Sequence, residues 1–263
     1  MNEAVRGSSP HRLTIAGIDL EYLDRGRGAP LLYLHGGAGI AADHAFIDRL
    51  AGQRRVIAPS HPGFGTSGLP DWLDSVDDIA HVHLELLDRL KLDVVDVVGM
   101  SLGGWIAAEM ATKAPERLSR MALIGPIGVK TGTVDRLDIP DIFAMSEANL
   151  DRLRFHDPGK HRADIGAMSD EALATMVRNH ETLALIAWEP YMHNPKLRHR
   201  LHRAAMPVLL LRGDSDGIVS ADYIARYAKL FPDAGITTIA AAGHGPQVEQ
   251  PDRTADIILE FFA

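Results

Sequence analysis

Short apolar runs punctuate this chain at Leu31–Leu34, Arg55–Ala58, Val94–Val98, Met121–Ile124, Val208–Leu211 and Ile236–Ile239, each bounded by Gly, Pro or Asp. Runs of that length without polar alternation predict parallel strands covered on both faces. Between them, apolar positions recur with helical period over Asp43–Leu50, Val76–Leu90, Leu102–Ala114, Ala221–Leu230 and Thr254–Phe262. The first segment differs. Arg12–Ile15 and Ile18–Leu23 alternate apolar and polar residues around Ala16-Gly17, the pattern of a β-hairpin with one exposed face. Alternating strand and helix predicts the α/β class, with a mostly parallel, doubly wound sheet and an antiparallel hairpin at its start.

One region breaks the alternation. From about Pro126 to Met206 no strand is predicted, only helical stretches at Asp141–Arg154, Asp170–Trp188 and Pro195–Ala204. A helical insertion that long between two sheet strands reads as a cap over one edge and not as a loop. The expected organisation is a core of residues 1–125 and 207–263 with a cap of residues 126–206. Phe143 and Trp188 are the cap's candidate substrate-binding side chains, with packing inside the cap as the alternative.

Composition narrows the function classes. The chain has 263 residues, 46% of them hydrophobic, which suits a globular protein. A net charge of −8 argues against general nucleic-acid binding. The absence of cysteine excludes disulfides, thiolate metal sites and a cysteine nucleophile. No stretch reads as a membrane span, and Met1–His11 is polar, without the apolar core of a signal peptide. The expectation is a cytoplasmic protein with a small-molecule substrate, no cofactor and no metal; its oligomeric state is not legible.

Gly99-Met100-Ser101-Leu102-Gly103 follows one predicted strand directly and opens a predicted helix. That context is a nucleophile elbow, in which a serine sits on a sharp turn and small neighbours let strand and helix approach. A serine hydroxyl needs a base, and His244, in the loop after the last predicted strand, is the candidate. The base needs an acid, and Arg212-Gly213-Asp214-Ser215-Asp216-Gly217 follows another strand in the right chain order. Asp216, at the loop apex, is preferred, with Asp214 as the alternative and otherwise a turn cap. His35-Gly36-Gly37 follows a strand as well, and its backbone N–H groups can face a developing oxyanion. Gly37 and Leu102 are the expected donor pair, with His35 orienting the loop.

These motifs, in this order, resemble the α/β-hydrolase superfamily of the capped, serine-nucleophile kind, together with Pro62-Gly63-Phe64-Gly65-Thr66-Ser67 and Glu249-Gln250-Pro251. The resemblance supports Asp216 and implies hydrolysis of a carboxylic ester or related acyl bond. It also leaves room for a C–C bond hydrolase of meta-cleavage type, or a non-catalytic small-molecule receptor on the same fold. Serine at position 101, where haloalkane dehalogenases and epoxide hydrolases carry aspartate, argues against carboxylate attack on an alkyl carbon. Ser60 and His61 depart from the family, which often has an aspartate before the Pro-Gly-Phe-Gly loop; His61 either faces the pocket or replaces that aspartate's loop contacts, and the structural role is the one expected.

Other signals are discounted. Gly63–Gly68 matches a dinucleotide fingerprint, but Leu69-Pro70-Asp71 follows instead of a helix. His81 with His83, and His199 with His202, lack carboxylate support for a metal site. The basic run Lys196–Arg203 reads as the solvated face of a cap helix.

Overall fold

A computed structural model describes residues 10–263, so the polar stretch read from Met1 to His11 lies almost wholly outside the described residues. Eight strands form one sheet in the order β1-β2-β4-β3-β5-β6-β7-β8. β1 (His11–Ile15) and β2 (Ile18–Arg25) make the antiparallel hairpin, and β2 also runs antiparallel to β4 (Arg55–Pro59). The remaining pairings, through β3 (Pro30–Leu34), β5 (Val95–Met100), β6 (Leu118–Ile124), β7 (Val208–Gly213) and β8 (Ala234–Ile239), are parallel. The winding direction reverses at β3, which lies between β4 and β5. In an open α/β sheet, the crevice beyond the strand ends at such a switch point is where ligands bind.

Successive strand residues feed opposite faces, and both faces are buried. Leu31, Tyr33 and Val98 pack with α1 (His44–Ala51) and α9 (Pro251–Phe261). Leu32, Leu34 and Val97 pack with α2 (Val76–Arg89), α3 (Leu102–Lys113) and α7 (Ala221–Ala228). This double burial is why the central strands read as unbroken apolar runs. The last strand departs from that expectation: Ile236 is 46% exposed, because β8 is the sheet edge and only one neighbour pairs with it.

The insertion between β6 and β7 carries α4 (Glu147–Arg154), α5 (Pro158–His161) and α6 (Asp170–Ala187). The helix expected from Asp141 begins only at Glu147. The Asp141 carboxylate accepts the N–H groups of Phe143 and Ala144, which turns the backbone out of helical geometry. Pro195–Ala204 is not a helix either, and so its basic run is not a helix face. It forms two 3-10 turns that bury Leu197 and Leu201, while Arg198 and Arg203 donate to the carbonyls of Lys130 and Thr112. Among the described residues, no helix is long and apolar enough to cross a membrane.

Candidate active site

Four strand ends converge at the carboxyl edge. Ser101 directly follows β5 and precedes α3, with φ 50 and ψ −108. A left-handed φ on a non-glycine residue costs about 1–3 kcal/mol and persists only where the surroundings enforce it. Here the enforcement is close packing. A Cβ on Gly103 would lie 2.0 Å from the Leu34 carbonyl oxygen, and one on Gly99 would lie 2.5 Å from that of Gly103. Only glycine at both positions lets α3 press against the sheet and project the serine above its edge.

The Ser101 hydroxyl lies 3.0 Å from Nε2 of His244, in the loop after β8. Nδ1 of the same ring lies 3.0 Å from Oδ2 of Asp216, in the loop after β7. The other oxygen of Asp216 accepts the N–H groups of Ile218 and Val219, each at 2.8 Å. A carboxylate so held fixes Nδ1 as the protonated nitrogen and leaves Nε2 free to accept the hydroxyl proton. Asp214 is elsewhere: it is exposed, accepts from the Ser215 hydroxyl and the Ala241 N–H, and closes the turn.

Gly37 lies in the turn after β3, and Leu102 is the first residue of α3. A helix's first N–H groups have no intrahelical acceptor, so the Leu102 amide is available at the positive end of the helix dipole. Over Gly37 sits Leu183 of α6, whose Cδ2 is 2.6 Å from where a Cβ on Gly37 would stand. Helix α6 is fastened to both neighbouring loops. Asn179 donates to the Ala38 carbonyl and accepts the Gly65 N–H, each at 2.9 Å. Arg178 and Thr182 donate to the Gly63 carbonyl, and Arg178 also to that of Ser67.

Behind the Gly37 turn lies a buried chain of three histidines. His35 donates Nδ1–H to the Gly36 carbonyl at 2.7 Å, and its Nε2 accepts the His61 backbone N–H at 3.1 Å. His61 in turn donates Nε2–H to the His35 carbonyl and accepts at Nδ1 from His83 Nε2, at 3.0 and 2.8 Å. Matching donors to acceptors makes the His35 and His61 rings neutral, while His83 donates from Nε2 and leaves Nδ1 buried without a partner. Burial pushes His35 down to about 4 and His83 down to about 3, and drives His61 well below the usual range. His61 thus has no route to a substrate. Through His35, it helps hold the Gly36–Gly37 peptide, whose carbonyl points to the ring and whose N–H points the other way.

The structure does not bring Phe143 and Trp188 to the serine by any of the contacts that hold them. They pack on each other at 5.6 Å between ring centroids, and on His180 and Tyr191, with Trp188 54% exposed. The side chains at the site that sequence reasoning missed are Asn179, Thr182 and Leu183. The available signal was polar Asn179 and Thr182 on the otherwise apolar inward face of a predicted helix, in register with Leu183 and Ile186.

The sequence profile of the alpha/beta hydrolase fold family matches residues 29–251. Among curated relatives, 2-hydroxy-6-oxo-2,4-heptadienoate hydrolase of Pseudomonas putida is 28% identical, covering 96% of each chain. Lipase 1 of Psychrobacter immobilis is 27% identical over 93% of this chain and 81% of its own. A solved meta-cleavage product hydrolase superposes with a TM-score of 0.79 at 23% identity, covering 96% of this chain and 97% of that one. By the extent of the profile match and the agreement in fold, this chain belongs to the alpha/beta hydrolase fold family.

Proposed function

We propose that the chain is a serine hydrolase that cleaves a carboxylic ester, or a related acyl bond, of a small and partly apolar substrate. The observation that carries this reading is the continuous relay from the Ser101 hydroxyl through His244 to Asp216, with 3.0 Å at each link. Ser101 Oγ attacks the acyl carbon while His244 Nε2 takes its proton, and Asp216 stabilises the imidazolium that forms. The Gly37 and Leu102 amides receive the oxyanion. His244 then protonates the leaving alkoxide, and water repeats the sequence on the acyl-enzyme. The insertion acts as the cap: Leu183 stands over Gly37 as an apolar wall, and Phe143 and Trp188 pack on each other elsewhere in the cap. Excluding water there strengthens every electrostatic contact in the site.

A second reading, hydrolysis of a C–C bond, is favoured by two of these comparisons. The relative covering 96% of each chain is named a 2-hydroxy-6-oxo-2,4-heptadienoate hydrolase, and the solved structure of like fold a meta-cleavage product hydrolase. The same relay serves that chemistry once a carbonyl carbon is attacked. Two assays separate the readings. Turnover of short p-nitrophenyl esters with fluorophosphonate labelling at Ser101 supports the first. Turnover of a ring-fission dienoate with negligible esterase rate would replace it by the second. A protein that binds such ligands, labels nowhere and turns over neither is a receptor, and the hydrolase reading fails.

A further inference from the structure

We propose that Glu249 is a positioning residue for His244, and that residues 153–157 of the insertion are part of the framework holding acid and base in register. This inference rests on the catalytic reading of Ser101, His244 and Asp216 given above. The last carbonyls of a helix lack intrahelical partners, and at the end of α4 the two catalytic loops supply them. The Leu153 carbonyl accepts the N–H of Gly217, next to Asp216, at 2.9 Å. The Arg154 carbonyl accepts the N–H of His244 itself, at 2.6 Å. The approach is tight: a Cβ on Gly243 would lie 2.2 Å from the Arg154 oxygen.

Glu249, at the end of α8 (Pro246–Glu249), closes this arrangement from the other side. Its Oε1 accepts the N–H groups of His156 and Asp157, at 2.9 and 3.2 Å, and its Oε2 accepts the N–H of Gly243. Three backbone donors, two from the insertion and one from the base loop, converge on one side chain. A carboxylate answers all three because it only accepts; an amide presents a donor to at least one of them. His156 adds a link to the acid loop, with Nδ1 2.7 Å from the Ser215 hydroxyl. The strap 153–157 therefore touches both loops, and Glu249 ties it to the residue preceding the base.

The carboxylate touches neither Ser101 nor the His244 ring. It acts by fixing the Gly243–His244 backbone, from which the imidazole is aimed at Ser101. Proton transfer is sensitive to base placement on the ångström scale. Substrate binding has separate supports, because α6 is anchored through Arg178, Asn179 and Thr182. Loosening Glu249 should therefore lower kcat and leave KM alone.

The test is Glu249→Gln, with Glu249→Ala as a second variant and Glu260→Gln, an exposed carboxylate on α9 away from the strap, as the control. Glu249 borders an open crevice of about 420 Å³, so substitution seals no void. Turnover of a p-nitrophenyl ester is expressed per site titrated by fluorophosphonate, which removes unfolded molecules from the denominator. The expected result is a kcat lowered about tenfold or more in both Glu249 variants, equivalent to about 1.4 kcal/mol, with KM within about twofold. Glu260→Gln should stay close to wild type. The proposal is overturned if per-site kcat is unchanged while only Tm or the number of titratable sites falls, or if KM rises with kcat retained. A wild-type protein that neither labels nor turns over removes the hydrolase reading first, and this inference with it.

Discussion

Lowering the pH from about 7.5 to about 5 should remove a large share of the folding free energy, because three neutral histidines are sealed behind the Gly37 turn. In the folded chain His35 and His83 sit at about 4 and about 3, below the usual 6.5. Below 6.5 an unfolded chain takes up protons that the buried rings refuse. The contribution of these rings is thus intact above that value and is lost as the pH falls toward the folded ones. For a fully buried ring the loss is about 1.4 kcal/mol per pH unit, or about 2 kcal/mol by about pH 5. His61 is shifted in the same direction by burial and its two neighbours. Asp43 opposes them: burial raises it to about 6, so the folded state binds its proton first. That returns about 1.4 kcal/mol by about pH 5. His35 and His83 less Asp43 leave a net loss of about 2.6 kcal/mol, to which His61 adds in the same direction, against a total of about 5–15 for an ordinary domain. Urea unfolding followed by circular dichroism at a series of pH values measures it directly. His83→Leu removes one of the three rings and should shrink the loss by about 2 kcal/mol over the same range. Its absolute stability at neutral pH is not the readout, since the variant leaves His61 Nδ1 without a donor. A wild-type stability flat to within about 1 kcal/mol, or an undiminished loss in His83→Leu, would refute the reasoning.

Three further outcomes test the site. Ser101→Ala should abolish turnover and fluorophosphonate labelling with an unchanged circular dichroism spectrum; labelling that survives in the variant assigns the nucleophile elsewhere. Asp216→Asn should cost on the order of 10⁴ in kcat by leaving the imidazole in the wrong tautomer, whereas the exposed Asp214→Asn should cost little. Reversed losses would move the acid to Asp214. Leu183→Ala, which removes the wall over Gly37, should shift kcat/KM toward longer acyl chains across a p-nitrophenyl ester series, more than Phe143→Ala or Trp188→Ala does. Uniform scaling of every ester by Leu183→Ala would show that this side chain does not shape the acyl pocket.

Much of this protein was legible one residue at a time. Buried parallel strands have to be continuously apolar, so Leu31–Leu34, Val97–Val98 and Val208–Leu211 announce themselves. Gly99 and Gly103 flank Ser101 because backbone contacts of 2.5 and 2.0 Å leave no room for a Cβ, a constraint short enough in sequence to appear as a motif. Ser101, Asp216 and His244 each follow a strand, and parallel strands bring their carboxyl ends to one edge. Other features depend on partners far along the chain. Pro195–Ala204 has helical composition, yet Arg198 and Arg203 bond carbonyls of Lys130 and Thr112, and the segment becomes two turns. Nothing near His61 or His83 in sequence says that their rings meet at 2.8 Å; the packing of α2 against the sheet decides it. The same holds for Leu183 over Gly37, and for the Leu153 and Arg154 carbonyls on the acid and base loops. Local pattern is set by which face of an element is dry, so the sequence alone determined the sheet, the elbow and the residues of the relay. Contacts between a helix and a loop a hundred residues away leave no periodic trace, and only the tertiary structure decided how the insertion holds the site.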